Sequence, residues 1–143
     1  MASETRSFDE QAGSFDQRAG LPASVCDSIA NELVQFAQLA PGHVLLEVGV
    51  GTGQIGLALC QLPLCYVGFD VSAAMLDVFK RRCRESGRPV SLIDTDGNNR
   101  WPADDGSVKV VFSSRAVHLL RAEHVVEEVF RVASPIGATL VLA

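Results

Sequence analysis

The sequence predicts an α/β fold built on an open parallel sheet. Three observations carry that expectation. Short apolar runs rich in β-formers alternate with stretches of helical periodicity, the links between the runs are helices or crossover connections, and a cluster of glycines directly follows the first run. With 143 residues, 48% of them hydrophobic, the chain has the size of one domain and enough apolar surface for a core.

The amino-terminal stretch carries a tandem repeat, SFDEQAG at residues 7–13 followed by SFDQRAG at residues 14–20. Phe8 and Phe15 are seven apart and would share a helical face, although the glycines weaken a continuous helix. Residues 1–20 are expected to form a flexible arm that docks two aromatics, or a lid over a ligand, ahead of a domain at residues 21–143. Val25, Ile29, Leu33 and Phe36 then lie at helical spacing, with Pro22 and Ser24 near the start and Pro41-Gly42 at the end. Residues 44–48, VLLEV, read as a buried parallel strand between His43 and Gly49.

The alternation continues with a helix at 55–61, a strand at 65–69 (CYVGF), a helix at 73–85 and a short strand at 90–93. A polar loop, DTDGNNRWPADDGS, leads to a strand at 108–112, a helix at 123–133, a turn at SPIG and a last strand at 138–142. An apolar strand at the edge of an open sheet is normally paired, covered or charged. The sheet is therefore expected to be truncated after its fifth strand, its edge covered by a missing C-terminal segment or by a homo-oligomer partner.

Charge and composition exclude several function classes. A net charge of −5 with no Lys/Arg stripe gives no footprint for nucleic acid, and the densest basic run, Lys80 to Arg84, spreads over several helical faces. Cys26, Cys60, Cys65 and Cys83 match no zinc or redox spacing and read as buried, reduced thiols, so no metal is expected. There is no signal-peptide h-region, and no apolar run approaches the roughly 18 residues of a membrane helix. A soluble, cytoplasmic protein without a membrane partner is the expectation.

The loop Gly49-Val50-Gly51-Thr52-Gly53 must leave its strand sharply and bring backbone close to a ligand, and a helix starting near Gln54 would aim N–H groups at that ligand. Its register is ambiguous. Residues 51–56 satisfy G-x-G-x-x-G, and Asp70 lies 19 residues past Gly51, where a dinucleotide-binding site places its ribose acid. Glu47 ends a buried strand and needs a partner, either hydrogen bonds from the glycine loop or the ligand itself through water.

Four ordered segments carry a resemblance. Residues 47–53, EVGVGTG, resemble the first motif of the class I S-adenosylmethionine-dependent methyltransferases, and residues 68–76, GFDVSAAML, resemble that family's second-strand segment. The loop and strand DTDGNNRWPADDGSVKVVFSSRAVHLL, then AEHVVEEVFRVASPIGATLVLA, resemble the ubiquinone/menaquinone-biosynthesis-like subgroup, and the FD-x-x-A-x-x-FD spacing at residues 8–16 resembles its cofactor-capping segment. The resemblance covers roughly residues 43–143 and implies a Rossmann-like open parallel sheet of the class I methyltransferase type, S-adenosylmethionine as cofactor, and methyl transfer to a small-molecule acceptor.

The resemblance also implies site residues. Glu47, Gly49, Gly51 and Gly53 would face the methionine end of the cofactor, and Asp70 the ribose hydroxyls. Val71, Ser72 and Met75 would line the adenosine pocket. Asp96, in competition with Asp94, would meet the adenine amino group beside Gly97. Ser113, Ser114, Arg115 and His118 would lie near the transferring methyl, with His118 and Arg115 the candidate catalytic groups and no base assigned. Trp101-Pro102 should anchor the polar loop.

Departures from the pattern are Lys109 beside Val108, where an aspartate beside an aromatic is common, and SPIG at the lysine-proline-glycine-glycine turn. Lys109 is expected to alter strand packing more than cofactor binding. No Asn-Pro-Pro-Tyr-like segment follows the fourth strand, which disfavours the amino-methylating nucleic-acid subgroup. Two alternatives stand beside this reading: an NAD(P)-dependent oxidoreductase, and a truncated, non-catalytic methyltransferase-like fold that acts through a partner.

Overall fold

All five expected strands form, and they pair into one parallel sheet. A computed structural model describes residues 20–87 and 90–143. In chain order the elements are α1 (Ala23–Phe36), β1 (Val44–Val48), α2 (Gly56–Leu59), β2 (Cys65–Asp70), α3 (Ala73–Ser86), β3 (Ser91–Asp94), β4 (Val108–Ser113), a 3-10 turn (Val117–Leu119), α4 (Ala122–Val132) and β5 (Thr139–Leu142). Strand order is β3-β2-β1-β4-β5. The chain thus runs outward from β1 to β3, then crosses to the other side of β1, so the order reverses between β1 and β4. Open α/β sheets bind ligands at the carboxyl ends of strands at such a reversal.

The central strand is apolar because both of its faces are covered. Leu45, with Val110 and Phe112 of β4, packs under α1, α2 and α3 through Ala30, Leu33, Leu59, Leu76 and Phe79. Leu46 and Val48, with Phe69 and Val111, pack on the opposite face against Trp101 and the α4 residues Val125 and Val132. Burial of this kind contributes about 25 cal/mol per Å² of apolar surface.

Three expectations need correction here. In α1 the buried residues are Cys26, Ala30 and Leu33, continued by Ala37 just past its end; Leu33 is buried as expected, whereas Val25 and Phe36 stand 41% and 76% exposed. Beside Leu33, the small residues Cys26 and Ala30 let the helix lie close to its neighbours, which a longer side chain at those positions would prevent. Second, α2 is a single turn where periodicity predicts a helix over residues 55–61: after it the N–H groups of Gln61 and Leu62 bond to Ala58 and Leu59 three residues back, and Pro63 cannot extend the helix. Third, Cys26, Cys60 and Cys83 are buried as expected, but Cys65 is exposed at the start of β2.

Both ends of α3 follow local rules. Ser72 Oγ accepts from Met75 N at 3.2 Å, and Gly87 closes the helix at φ +71° with its N–H on Arg84 and Cys83 carbonyls. Lys109 sits where the β1–β4 register shifts, since Val44 pairs with Val108 but Leu45 with Val110. Its Nζ donates to Gly137 O at 3.3 Å.

On the outer edge, Leu140 pairs with Val111 and shares its face, the α4 side of the sheet. Leu140 and Leu142 are exposed there, and on α4 Val126 and Phe130 are exposed as well. Among the described residues no helix is long and apolar enough to cross a membrane. Phe8, Phe15 and the tandem repeat fall almost wholly in residues 1–19, outside the described residues.

Candidate functional site

The glycine loop is held by the end of β2. Gly49 N and Val50 N both donate to Phe69 O, at 3.0 and 3.1 Å, and Gly51 N donates to Asp70 Oδ2 at 2.9 Å. Asp70 Oδ1 accepts from Ser72 N at 2.9 Å, so this one carboxylate braces the loop after β1 and the entry to α3 together. The loop turns so sharply that Gly49, Gly51 and Gly53 all have positive φ. A Cβ on Gly51 would meet no protein atom within 4 Å, whereas one on Gly49 would collide with Ala116 after β4, and one on Gly53 with the Phe79 ring.

A cavity opens above this loop, at the strand-order reversal. Glu47, Gly49, Gly51, Asp70, Val71, Met75, Asp96, Gly97, Ser114 and Arg115 line it, ten residues that the sequence places in or beside a site. Others from the sequence reading stand elsewhere. Gly53 packs on Phe79, behind the loop. Ser113 is buried, and its Oγ donates to Val48 O at 2.8 Å as a strut between β4 and β1. Ser72 is fully buried under its helix-capping bond. Asp94 is exposed on the edge strand, and His118 is exposed on the 3-10 turn.

Of the two partners expected for Glu47, the glycine-loop N–H groups are not the ones it takes. The loop N–H of Gly51 goes to Asp70, and Glu47 Oε1 accepts instead from Tyr66 Oη at 2.5 Å. The reason is geometric: Glu47 points inward from β1 at a position that pairs with Gly68, and Tyr66 reaches it from β2. Burial pushes the Glu47 carboxyl up to about 8, opposed by the Tyr66 hydrogen bond and reinforced by the like charge of Asp70. Burial beside that carboxyl also pushes the Tyr66 phenol up. Tyr66 is one residue that sequence reading misses, and a signal exists, because a tyrosine inside a buried strand must find a partner for its hydroxyl.

The far wall is the polar loop, which Trp101 anchors. Trp101 Nε1 donates to Gly97 O at 2.8 Å and Trp101 N to Glu128 Oε2 at 2.7 Å, and the residue is 2% exposed. Arg131 clamps Glu128 through two bonds of 2.9 and 2.7 Å and donates to the carbonyls of Ala103 and Trp101. The guanidinium holds Glu128 below the usual carboxylate range, and the carboxylate raises Arg131 in turn. Asp96 Oδ1 accepts from Asn98 N at 2.8 Å in an Asx turn, while Gly97 leaves room for the Leu120 side chain. Thr95, Gln54, Leu119 and Leu120 also line the cavity.

At the rim, Arg115 has φ +57°, a left-handed conformation uncommon outside glycine. Its N–H donates to Ala143 O at 2.8 Å, and Ala143 N donates to Ser113 O at 3.0 Å. The site thus combines acidic groups from three strand ends, an apolar wall and one arginine. Among the described residues no group of three or more His, Cys, Asp or Glu side chains could hold a metal.

Comparison with known proteins bears on this arrangement. Residues 45–137 match the family described as "Methyltransferase domain". An uncharacterized methyltransferase of Mycobacterium tuberculosis is 29% identical over 131 residues, 92% of this chain and 49% of the relative. A malonyl-[acyl-carrier protein] O-methyltransferase of Serratia marcescens is 28% identical over 134 residues, 93% of this chain and 49% of the relative. The chain spans about half the length of these relatives. Among solved structures, a SAM-dependent methyltransferase from Aquifex aeolicus superposes with a TM-score of 0.69 at 21% identity, covering 85% of this chain and 72% of that one, a likeness of fold.

Proposed function

Because the chain belongs to the methyltransferase domain family, we propose that its cavity binds S-adenosylmethionine and that the protein transfers the activated methyl group to a small-molecule acceptor. The observation that carries this reading is the placement of Glu47, Asp70 and Asp96, from the ends of three neighbouring strands, around one cavity. That lining suits a ligand with cationic groups and a ribose. It disfavours a pyrophosphate, as does the use of the Gly49, Val50 and Gly51 N–H groups within the protein. The NAD(P)-dependent alternative is the weaker one for these reasons.

In this reading Asp70 takes the ribose hydroxyls, since a carboxylate accepts from several donors at once. Val71 and Met75 pack on the adenosine, Asp96 and Gly97 face the adenine edge, and Glu47 stands at the methionine end beside Gly49 and Gly51. The cofactor, when bound, supplies a methyl on a sulfonium, which is already an electrophile. The protein's work is then to orient: the loops after β1, β2 and β4 hold the donor in line with the acceptor and exclude water. Arg115 at the rim faces the acceptor side, and His118, outside the lining, is assigned no proton transfer.

The polar loop and late helix support placing the chain in the ubiquinone/menaquinone-biosynthesis-like subgroup. They resemble it along residues 94–143. The division into an arm or lid at 1–20 and a domain at 21–143 belongs to the same proposal. It is supported at the junction, where Leu21 N donates to Gln54 Oε1 at 2.9 Å, so that the chain enters the domain beside the cavity.

Mass spectrometry of the ligand carried through purification tests the reading. Retained S-adenosylmethionine or its demethylated product is the expected result, and a retained dinucleotide would contradict it.

A further inference from the structure

Gly56 and Gly68 are not among the glycines with positive φ, so neither serves a left-handed turn. What matters at both is the space a side chain would fill. A Cβ on Gly56 would stand 2.7 Å from Tyr66 Oη and 2.9 Å from Glu47 Oε1, and a Cβ on Gly68 would stand 2.9 Å from Tyr66 Oη. Both glycines therefore clear the slot in which Tyr66 meets Glu47. Phe79 of α3 closes that slot, edge-on to Tyr66 with ring centroids 6.1 Å apart at 77°. Glu47 and Tyr66 are 3% and 7% exposed, so water does not compete for the bond.

From this geometry we propose that Tyr66 is a positioning residue: its hydroxyl holds the Glu47 carboxyl in the cavity wall and, as a donor to the charged form, eases release of the carboxyl proton to solvent when a cationic ligand enters. The identity of that cation rests on the cofactor reading above. The proton balance is simple. One carboxylic O–H breaks, the proton passes to buffer, and the new carboxylate faces the incoming positive charge, leaving the net charge of the site unchanged.

The groups that set this equilibrium come from several elements. Tyr66 faces Glu47 from β2 and Asp70 from the end of that strand, while Cys60 beyond α2 and Cys83 on α3 act on Tyr66. Arg115 lines the same cavity from the loop after β4. Burial and the like charge of Asp70 keep the proton on Glu47 up to about pH 8, and the Tyr66 hydrogen bond works against both. A better donor at Tyr66 should ionise Glu47 at lower pH, and loss of the donor should delay ionisation.

Tyr66 is the only tyrosine of the chain, which makes the test selective. The Glu47 carboxyl is titrated by carbon-13 NMR in ligand-free protein, in the native chain, in Tyr66→Phe and in protein carrying 3-fluorotyrosine, whose phenol is the stronger donor. The midpoint should rise by about one pH unit in Tyr66→Phe and fall with fluorotyrosine, as expected for a hydrogen bond to the charged form. Shifts in the same direction, or none, would overturn the assignment, and the near-isosteric fluorotyrosine decides it if Tyr66→Phe does not fold. Calorimetry of S-adenosylmethionine at pH 7 in two buffers of different ionisation enthalpy should show release of about one proton per site. Binding without proton release would overturn the coupling, whereas absence of binding with opposite titration shifts would remove the cofactor reading and leave the Tyr66 assignment in place.

Discussion

Gly51 N donates to Asp70 Oδ2 across 2.9 Å, joining the glycine loop after the central strand to the acid at the end of its neighbour. One side chain therefore shapes the loop and faces the cavity. Asp70→Ala should lose both functions, weakening S-adenosylmethionine binding at least tenfold, about 1.4 kcal/mol. It should also lower unfolding free energy by about 1–3 kcal/mol, because Gly51 N and Ser72 N lose their acceptor. Calorimetric titration and urea denaturation of the same variant separate the two effects, and an unchanged binding constant would remove the ribose assignment.

Glycines in the same motif should respond differently. Gly51→Ala adds a Cβ that meets no protein atom but must adopt φ +56°, so its stability cost should be about 1–2 kcal/mol. Gly56→Ala keeps an ordinary backbone but drives its Cβ to 2.7 Å from both Phe79 Cζ and Tyr66 Oη. Overpacking at that point should cost about 1–3 kcal/mol and should also shift the Glu47 titration, which Gly51→Ala should not. Denaturation curves with carbon-13 titration distinguish them.

Much of this architecture is legible in the amino-acid sequence. The strands and most helices follow from periodicity, and Asp70, Glu47 and the glycines are marked by their spacing around β1 and β2. The features that the sequence hides have a common physical source: they depend on which neighbour a side chain meets across strands or helices. The buried stripe of α1 runs through Cys26 and Ala30, which hydropathy ranks below Phe36. The Tyr66–Glu47 pair joins positions 19 apart in sequence. Glu128 has the pattern of one more surface acid on an amphipathic helix, and only the fold brings Trp101 N and Arg131 onto it.

The raised carboxyl of Glu47 fixes the sign of a pH effect. Its folded value, about 8, lies above its unfolded value, so the folded state binds the extra proton between roughly pH 4.5 and 8. The contribution to stability is fully present below that window and is lost as pH rises through the folded value. Native protein should therefore lose stability relative to Glu47→Gln across this interval, by up to about 1.4 kcal/mol per pH unit. Parallel urea titrations from pH 5 to 8.5 check it, and curves that stay parallel would contradict the burial account.

Arg131 and Glu128 form the clamp that places the polar loop. Their side chains are 15% and 9% exposed, and removing one partner of such a pair leaves a charge with poor compensation. Arg131→Ala should cost about 3–5 kcal/mol, and Arg131→Lys should recover little because it lacks the planar fork. Trp101, the single tryptophan, reports the loop directly: its emission should shift to the red in the native-like state of either variant, and an unmoved spectrum would argue against the clamp.

The central claim is that the cavity at the ends of β1 and β2 is a site for S-adenosylmethionine. Titrating that compound, and NADH separately, into the folded 143-residue chain by calorimetry tests it most directly. The account predicts one S-adenosylmethionine site per chain with no heat of binding for NADH; a folded sample that takes up NADH and leaves S-adenosylmethionine in solution would contradict it.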